Sequence, residues 1–339
     1  MKAGTRWLSA VLLAGILLSA TVLSAGCGQK TTTDGNSPAL TGTLKGVSLS
    51  PKSFQSADFT DFFEKANQAG EIVSWAGDWN ELADINSGGP KVVAELAATY
   101  SYIPLVEAQF FTQSSGQLLR PLDEATRLSY KNCAAAFAEK YRPKYLALGI
   151  EVNILYEKSP ADFEAFVSFY AEVYDAVKAV SPDTKVFTIF QLEKMKGLGG
   201  GLFGGTNDTS KAQWTLLDRF PKSDIIAFTT YPGLIYKDPA DIPADYYTEV
   251  ESHTSKRIAF SEIGWHSNRA PAGWESSEAE QAQFVTQFIT LTTAMDNELA
   301  IWSFMYDQGT VEPFNSMGLR RSDGTARPAW DEWVTWSPL

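Results

Sequence analysis

The sequence predicts a (β/α)8 TIM barrel. From residue 45 to 339, eight short runs of apolar and β-branched residues alternate with stretches of helical character. The runs lack strict alternation of polar and apolar residues, which is typical of parallel strands covered on both faces. Roughly 290 residues for eight strand–helix units also suits such a barrel. A doubly wound open sheet is the alternative, although it would usually bring a second domain or a phosphate-binding loop.

The predicted strands and helices follow one another along the chain. The strands are 46–50, 71–76, 102–108, 145–151, 185–191, 224–231, 257–263 and 299–306. Helices are predicted near 56–70, 90–100, 122–141, 160–177, 210–219, 240–256, 277–289 and 326–336. Ser159 followed by Pro160 is a typical helix start, and Ser277 with Glu280 forms a capping box.

The N-terminus has the character of a targeting segment. Lys2 and Arg6 precede an apolar run over 7–25, and Ala25-Gly26-Cys27 follows. This pattern predicts a signal peptide over 1–26 and resembles a bacterial lipobox, in which the cysteine is lipidated. Residues 27–44 are polar, small and aperiodic, which predicts a flexible tether. An uncleaved anchor helix is the alternative, and both interpretations place the body outside the cytoplasm, in the cell envelope.

Charge and composition narrow the classes of partner. The net charge of −12 argues against nucleic acid and against adhesion to anionic lipid, so membrane attachment is expected through the N-terminal lipid only. Two histidines, at no ligand spacing, argue against a metal site. The glycine-rich run 197–205 contains a chance G-x-G-x-x-G match, which we interpret as a loop at the barrel mouth. No cofactor is expected.

Two glutamates fall at positions that suit catalysis. In barrels of this kind the chemistry lies at the C-terminal ends of the strands. Glu151 ends the predicted fourth strand, and Glu262 lies at the same level of the seventh. Two carboxyl groups facing each other across the mouth can cleave a glycosidic bond, since one protonates the leaving oxygen and the other attacks the anomeric carbon or activates water. A structural carboxylate satisfied by arginine or backbone donors is the alternative for each.

Further residues near the mouth are candidates for holding a sugar. Tyr231, at the end of the sixth strand, can donate a hydrogen bond to a nucleophilic carboxylate. Aromatic side chains suit the apolar faces of sugar rings. The candidate substrate-binding residues are Tyr231, Trp302, Trp265, Asn153, Trp75 and Glu107. Each aromatic residue could instead fill the core.

Four segments resemble known glycoside hydrolases. The segment 148-LGIEVN-153 and the Tyr-Pro at 231–232 are similar to segments of arabinogalactan endo-galactanases. The segment 260-FSEIGWHS-267 is similar to one in plant-type β-1,3-glucanases, and 318-GLRRSDGTARPAW-330 to the stretch after the eighth strand. The layout therefore resembles the clan A retaining enzymes. That resemblance implies Glu151 as acid/base, Glu262 as nucleophile, Tyr231 as the residue that positions Glu262, and a carbohydrate substrate.

One departure from the clan pattern bears on activity. The residue before the acid/base is normally an asparagine that binds the sugar 2-hydroxyl, whereas this sequence has Ile150, with Asn153 two residues beyond Glu151. The first hypothesis is therefore a membrane-anchored, extracytoplasmic retaining glycoside hydrolase. The second is a carbohydrate-binding lipoprotein that keeps the barrel without catalysis, and the third is a structural protein of the envelope.

The Ala25-Gly26-Cys27 segment generates the first testable prediction. The mature chain should begin at Cys27, and that residue should carry lipid, because the cysteine follows an apolar run and two small residues. Mass spectrometry of the mature N-terminus measures both features. A chain that starts at Met1, or one cut elsewhere without lipid, would contradict the lipoprotein assignment.

Overall fold

The computed structural model describes residues 42–84 and 88–338. The predicted signal peptide over 1–26, the lipidation site Cys27 and most of the predicted tether over 27–44 lie outside the described residues. The first strand begins at Leu44, at the predicted boundary between tether and barrel. No helix among the described residues is both long enough and apolar enough to cross a membrane.

All eight predicted strands are present in the described part of the chain, and they form a nearly closed parallel barrel. Neighbouring strands pair in parallel around the barrel. The fifth strand is split, so that its first half pairs with the fourth strand and its second half with the sixth. The strands are β1 Leu44–Ser48, β2 Ile72–Asp78, β3 Ile103–Gln109, β4 Tyr145–Leu148, β5 in two segments Lys185–Phe187 and Ile189–Gln191, β6 Ile226–Thr230, β7 Ile258–Ile263 and β8 Asn297–Trp302. The predicted fold class is therefore confirmed.

Helices pack around the barrel, and two predicted ones differ from the observed structure. The helices are α1 Ser56–Ala69, α2 Gly89–Tyr100, α3 Glu124–Tyr141, α4 Val152–Lys158, α5 Pro160–Val180, α6 Leu192–Met195, α7 Glu278–Thr292 and α8 Pro328–Thr335. The helices predicted near 210–219 and 240–256 are wrong. Short 3₁₀ turns occur there, at Thr209–Lys211, Trp214–Arg219, Pro239–Asp241 and Thr248–Ser252. Pro243 has no backbone N–H and prevents a continuous helix in the second segment.

Side chains alternate between the inside and the outside of the barrel, and this alternation decides which residues reach the mouth. The interior is filled by an apolar cluster of strand residues: Leu44, Ile72, Leu105, Tyr145, Ala147, Phe187, Ile189, Ala227, Ala259, Leu299 and Ile301. The intervening residues pack outward against the helices in a second, larger cluster. Polar residues that face inward lie beyond the apolar interior, toward the C-terminal ends of the strands, where catalytic groups collect in this fold.

Candidate active site

The position of Glu262 depends on a bulge in β7. Phe260 pairs with Phe228 of β6, but the next paired residue of β7 is Glu262, opposite Thr229, which leaves Ser261 as an extra residue. The pairing with β8 shows the same irregularity between Phe260 and Ile263. Side chains alternate along a strand, so without the bulge Glu262 would share the outward side of Phe260. The extra residue turns Glu262 toward the mouth.

Thr229 lies next to both predicted catalytic residues. Its backbone is paired with Glu262, and its hydroxyl donates a hydrogen bond to Oε1 of Glu151 (2.7 Å). Neighbouring strands lie roughly 4.8 Å apart, so paired residues on the same face are close neighbours. Glu151 and Glu262 therefore converge on the same side of Thr229, and both are almost completely buried, with 8% and 7% of their surfaces exposed.

The chain makes a tight turn to present Glu151. β4 ends at Leu148, three residues before Glu151. Glu151 occupies the N-cap position of α4. Gly149 and Glu151 both have positive φ angles, of 83° and 57°. The left-handed conformation costs a non-glycine residue about 1–2 kcal/mol. The Gln109 side chain stabilises this turn, since its amide donates to the Ile150 carbonyl (3.0 Å) and accepts from the Ile150 N–H (3.3 Å).

Burial and mutual repulsion set the protonation of the pair. Burial, together with the charge of Glu262, raises the pKa of Glu151 to about 8, although Thr229 and Gln191 donate hydrogen bonds to its carboxylate. Burial raises the pKa of Glu262 to about 7, and the hydrogen bond from Tyr231 opposes that rise. The Tyr231 hydrogen bond favours the anion of Glu262, and the charge of that anion favours the protonated form of Glu151. These contacts suit Glu151 as the acid and Glu262 as the anion.

Tyr231 contacts Glu262 as the sequence predicts. Its hydroxyl donates to Oε2 of Glu262 (2.5 Å) and lies 2.9 Å from the hydroxyl of Ser303. Burial and the charge of Glu262 raise the pKa of Tyr231 well above its ordinary value, so the phenol stays protonated and remains a donor. Ser303 follows β8 and also donates to the carbonyl of Ile263. Hydrogen bonds thus connect the ends of strands β6, β7 and β8 around Glu262.

Two further glutamates are buried near the pair. Glu107 of β3 is completely buried, and neither of its carboxyl oxygens has a hydrogen-bond partner among the described residues. The neighbouring Ser74 donates to Ser48 (3.0 Å), and its lowering effect on the pKa of Glu107 is smaller than the two effects that raise it. Burial and the charge of Glu262 raise the pKa of Glu107 well above its ordinary value of 4.5. Because Glu107 is buried and no described residue donates a hydrogen bond to its carboxyl, its neutral carboxylic acid form is favoured.

Glu193 differs from Glu107 because it is hydrogen-bonded. One of its oxygens accepts from the Thr230 hydroxyl (3.1 Å), the Tyr231 N–H (2.9 Å) and the Tyr246 hydroxyl (2.8 Å). Burial still raises its pKa. Among the described residues, no arginine, lysine or histidine forms an ion pair with Glu107, Glu151, Glu193 or Glu262. Each carboxyl is therefore balanced by neutral donors or by a proton.

Three of the predicted tryptophans lie away from the carboxyl pair. Trp75 and Trp302 occupy outward positions on β2 and β8, in the cluster between barrel and helices. The indole of Trp302 packs against Phe284 and Trp333 and donates to the carbonyl of Met317 (2.8 Å). Trp265 is fully buried and packs against Phe284, with its indole N–H on Ser276 (3.0 Å). The structure does not bring these three side chains to the site.

The side chain of Asn153 forms hydrogen bonds with a residue that follows β5 and with the last residue of that strand. Its amide donates to the carbonyl of Gln191 (3.1 Å) and to the side chain of Gln213 (3.0 Å), and its oxygen accepts from the Gln191 N–H (2.8 Å). These bonds tie α4 to the end of β5. Asn153 is fully buried, so its polar atoms are used within the fold at the position where the sequence suggests a contact with sugar.

Thr229, Gln191 and Ser303 are site residues that the sequence motifs do not predict. Gln191 ends β5 and donates to Oε1 of Glu151 (3.1 Å). Thr229 precedes Tyr231 by two residues, and Ser303 follows the last residue of β8. All three are polar residues near the C-terminal end of a strand. That rule alone would have found them, but each is short or uncharged and carries no motif.

Solved glycoside hydrolases share this fold. A family 39 glycoside hydrolase from Bacteroides cellulosilyticus WH2 is 18% identical, with a TM-score of 0.60 over 86% of this chain and 62% of its own. A GH5_18 protein from Bifidobacterium longum subsp. infantis is 12% identical, with a TM-score of 0.63 over 87% and 78%. An exo-β-1,4-mannosidase from Opitutaceae bacterium strain TAV5 is 13% identical, with a TM-score of 0.60 over 86% and 58%.

The likeness to these enzymes is one of fold. The chain spans less than two thirds of the length of the family 39 enzyme and of the mannosidase. No protein-family model matches the sequence, and no curated protein matches it. The predicted resemblance to glycoside hydrolase barrels is therefore confirmed for the architecture, and the exact family is unassigned.

The burial of Glu107 predicts that its replacement by glutamine stabilises the folded protein, and that this gain depends on pH. The pKa of Glu107 is raised in the folded state. Above about pH 4.5 the unfolded chain therefore releases a proton that the folded chain still holds. The free energy of unfolding of the wild type consequently falls as pH rises. Glu107→Gln cannot ionise and should raise the melting temperature at pH 7, by about 2–4 °C for each kcal/mol regained. The gain should shrink toward pH 4.5. Calorimetry across this pH range measures it.

Glu64, exposed on α1, provides the matched control. Glu64→Gln makes the same chemical change at the surface and should leave the melting temperature within about 1 °C at both pH values. A Glu107→Gln protein that is less stable than the wild type at pH 7 would show that the buried group is ionised.

Proposed function

We propose that this protein is a retaining glycoside hydrolase, with Glu262 as nucleophile and Glu151 as acid/base. The observation that carries the proposal is that Glu151 accepts a hydrogen bond from Thr229 while Glu262 is the residue of β7 paired with Thr229, which brings the two carboxyls close enough for the charge of Glu262 to act on Glu151. The contacts of the two carboxyls support it further, because Tyr231 donates to Glu262 and the charge of Glu262 favours a protonated Glu151. A retaining enzyme needs one anionic carboxylate and one neutral carboxylic acid about 5 Å apart.

In the first step, an ionised Glu262 attacks the anomeric carbon and forms a glycosyl ester. Glu151 gives its proton to the glycosidic oxygen, so the leaving group departs as a neutral alcohol. Tyr231 keeps the attacking carboxylate oriented through its hydrogen bond. Thr229 and Gln191 hold the carboxyl of Glu151 and limit its motion.

In the second step, Glu151 acts as a base. It has lost its proton to the leaving group, so it can take one from a water molecule that attacks the glycosyl ester. The ester no longer carries the charge of Glu262, which removes the repulsion that raises the pKa of Glu151. Hydrolysis of the ester restores the anion of Glu262 and the acid form of Glu151, ready for the next turnover.

The proposed location is the outer side of a membrane. The apolar run over 7–25 and Cys27 support a lipid anchor, and the polar stretch over 27–44 supports a tether to the barrel. The net charge of −12 favours a neutral ligand such as a carbohydrate over nucleic acid. The substrate is therefore an oligo- or polysaccharide outside the cytoplasm, and nucleic acid is not a partner.

A carbohydrate-binding protein without catalysis is the second candidate, and Ile150 favours it. This residue stands where related enzymes have an asparagine that contacts the sugar, and its side chain is buried in the apolar interior. Its peptide group is occupied by Gln109. A barrel that lost this contact could bind a sugar without orienting it for reaction.

Substitution of the two glutamates separates their roles. Glu262→Gln should abolish turnover while sugar binding survives, since the amide keeps size and hydrogen bonding but cannot attack. Glu151→Ala should lower kcat/KM about 10²- to 10⁴-fold on poor leaving groups. It should retain activity on glycosides whose leaving group needs no protonation, and added azide should restore rate. Steady-state kinetics on a broad panel of glycosides measures these effects.

Ser303→Ala provides a milder comparison near the same site, because it removes a hydroxyl that contacts Tyr231 but not the carboxylates. Its effect on kcat/KM should be much smaller than that of Glu262→Gln.

The same panel of glycosides also decides between the two candidate functions. If the wild-type chain binds glycans and hydrolyses none of the panel, the binding-protein candidate is correct.

The proposed roles also predict a bell-shaped pH profile. Glu262 must be ionised, so activity should be lost as pH falls below about 7. Glu151 must be protonated, so activity should be lost as pH rises above about 8. The two apparent values belong to the interacting pair, and kcat/KM reports them for the free enzyme. Glu151→Ala, assayed on an activated glycoside, should lose the alkaline limb and keep the acid limb.

A further inference from the structure

An apolar cavity of about 280 Å³ lies beside the proposed catalytic pair. Its walls come from the loops that follow β5, β6, β7 and β8. The side chains that define it are Phe203, Leu234, Trp274, Val311, Glu312 and Phe314. A cavity of roughly 150 Å³ is enough to hold benzene, so this one can hold a larger hydrocarbon group.

Two aromatic rings, those of Phe314 and Tyr231, lie between the cavity and Glu262. Phe314 packs edge-on against Tyr231, with ring centres 5.2 Å apart. Leu234, Phe314 and Tyr231 belong to one buried cluster against which Phe203 packs. Tyr231 in turn bonds to Glu262. A substrate in reaction at Glu262 would therefore have its sugar on the far side of Tyr231 and Phe314 from this cavity, with the loops of the barrel mouth open to both.

The side chains of the walls offer few hydrogen-bonding groups to the hydroxyls of a sugar. Among the described residues that line the cavity, only Glu312 has a charged side chain, and the other polar side-chain group is the indole N–H of Trp274. That N–H already donates to the carbonyl of Gly233. A sugar has several hydroxyl groups, and burying them without hydrogen-bond partners is unfavourable. A hydrocarbon group has no such requirement.

We propose that this cavity binds a hydrocarbon group attached to the sugar of the substrate, either as the aglycone or as an acyl substituent. The assignment rests on the proposed glycoside hydrolase function, because it takes the carboxyl pair as the place where the sugar reacts. The substrate class is then an amphiphilic glycoside, with its sugar at the carboxyl pair and its apolar group among Phe203, Trp274 and Phe314.

A series of alkyl glycosides tests the proposal. Methyl, butyl, hexyl and octyl glycosides of one cleavable sugar have leaving groups of nearly equal acidity. Their intrinsic reactivity is therefore nearly the same, and differences in kcat/KM report on contacts of the alkyl chain. The value of kcat/KM should rise about fourfold for each methylene that enters the cavity. It should then level off when the cavity is full. A parallel series of acyl esters of the methyl glycoside distinguishes an acyl substituent from an aglycone, and a rise in either series supports the proposal.

Val311→Asp places a charge in the cavity wall at a position that is already 40% exposed. It should lower the ratio of kcat/KM for the hexyl and methyl glycosides toward one. Leu128→Asp is the matched control, because Leu128 is an exposed apolar residue of α3 outside the cavity. It should leave that ratio unchanged. Rates independent of chain length in both series would overturn the proposal.

A binding measurement separates failure of the cavity from failure of the proposed enzyme. Saturation-transfer NMR with 1-hexanol needs no turnover. If no glycoside is hydrolysed but hexanol binds to the wild type and not to Val311→Asp, the cavity assignment stands and the enzymatic one fails. If glycosides are hydrolysed without chain-length dependence, the cavity assignment fails and the enzymatic one stands. If hexanol does not bind and nothing is hydrolysed, both fail.

Discussion

The extra residue in β7 is the constraint on which the candidate site depends. A regular strand would place Ser261 opposite Thr229 and turn Glu262 toward the helices, where a carboxylate would meet the apolar cluster around Phe260. The bulge reverses that arrangement within one residue. It places Glu262 beside Tyr231 and across from the threonine that holds Glu151. The rest of the mouth is arranged around this pair.

Several carboxyls are buried without an ion-pair partner among the described residues, and this burial raises the free energy of the folded state. Burial raises the pKa of Glu107, Glu151, Glu193 and Glu262, so folding takes up protons and the folded state is disfavoured as pH rises. An arginine or lysine among them would remove the cost, but it would also lower the pKa of the acid and fix both carboxyls as anions. Neutral donors such as Tyr231 and Thr229 stabilise one charge while leaving another group protonated.

Much of the architecture follows from the sequence, because strand and helix patterns in this fold are local. The placement of Glu151 and Glu262 near the C-terminal ends of β4 and β7 could be found by counting apolar runs, although β4 ends three residues before Glu151. The side chain orientations could not, because a bulge or a turn shifts the alternation by one residue. Trp302 lies two residues beyond Ala300 on the outer side of β8, and only the register shows that its indole packs against the helices. The contact between Thr229 and Glu151 joins residues 78 positions apart.

Ile150 and the apolar cavity bear on different parts of catalysis. In the proposed reaction, a contact to the sugar beside the scissile bond would be strongest in the transition state, so the absence of that contact at Ile150 would lower kcat. Contacts made by a hydrocarbon group in the cavity are not with the reacting bond, so they would be similar in the bound and transition states and would lower KM. A barrel with Ile150 and this cavity would therefore select its substrate mainly by the apolar group. Its rate would depend on how well Gln191 and Thr229 hold Glu151 without help from an asparagine.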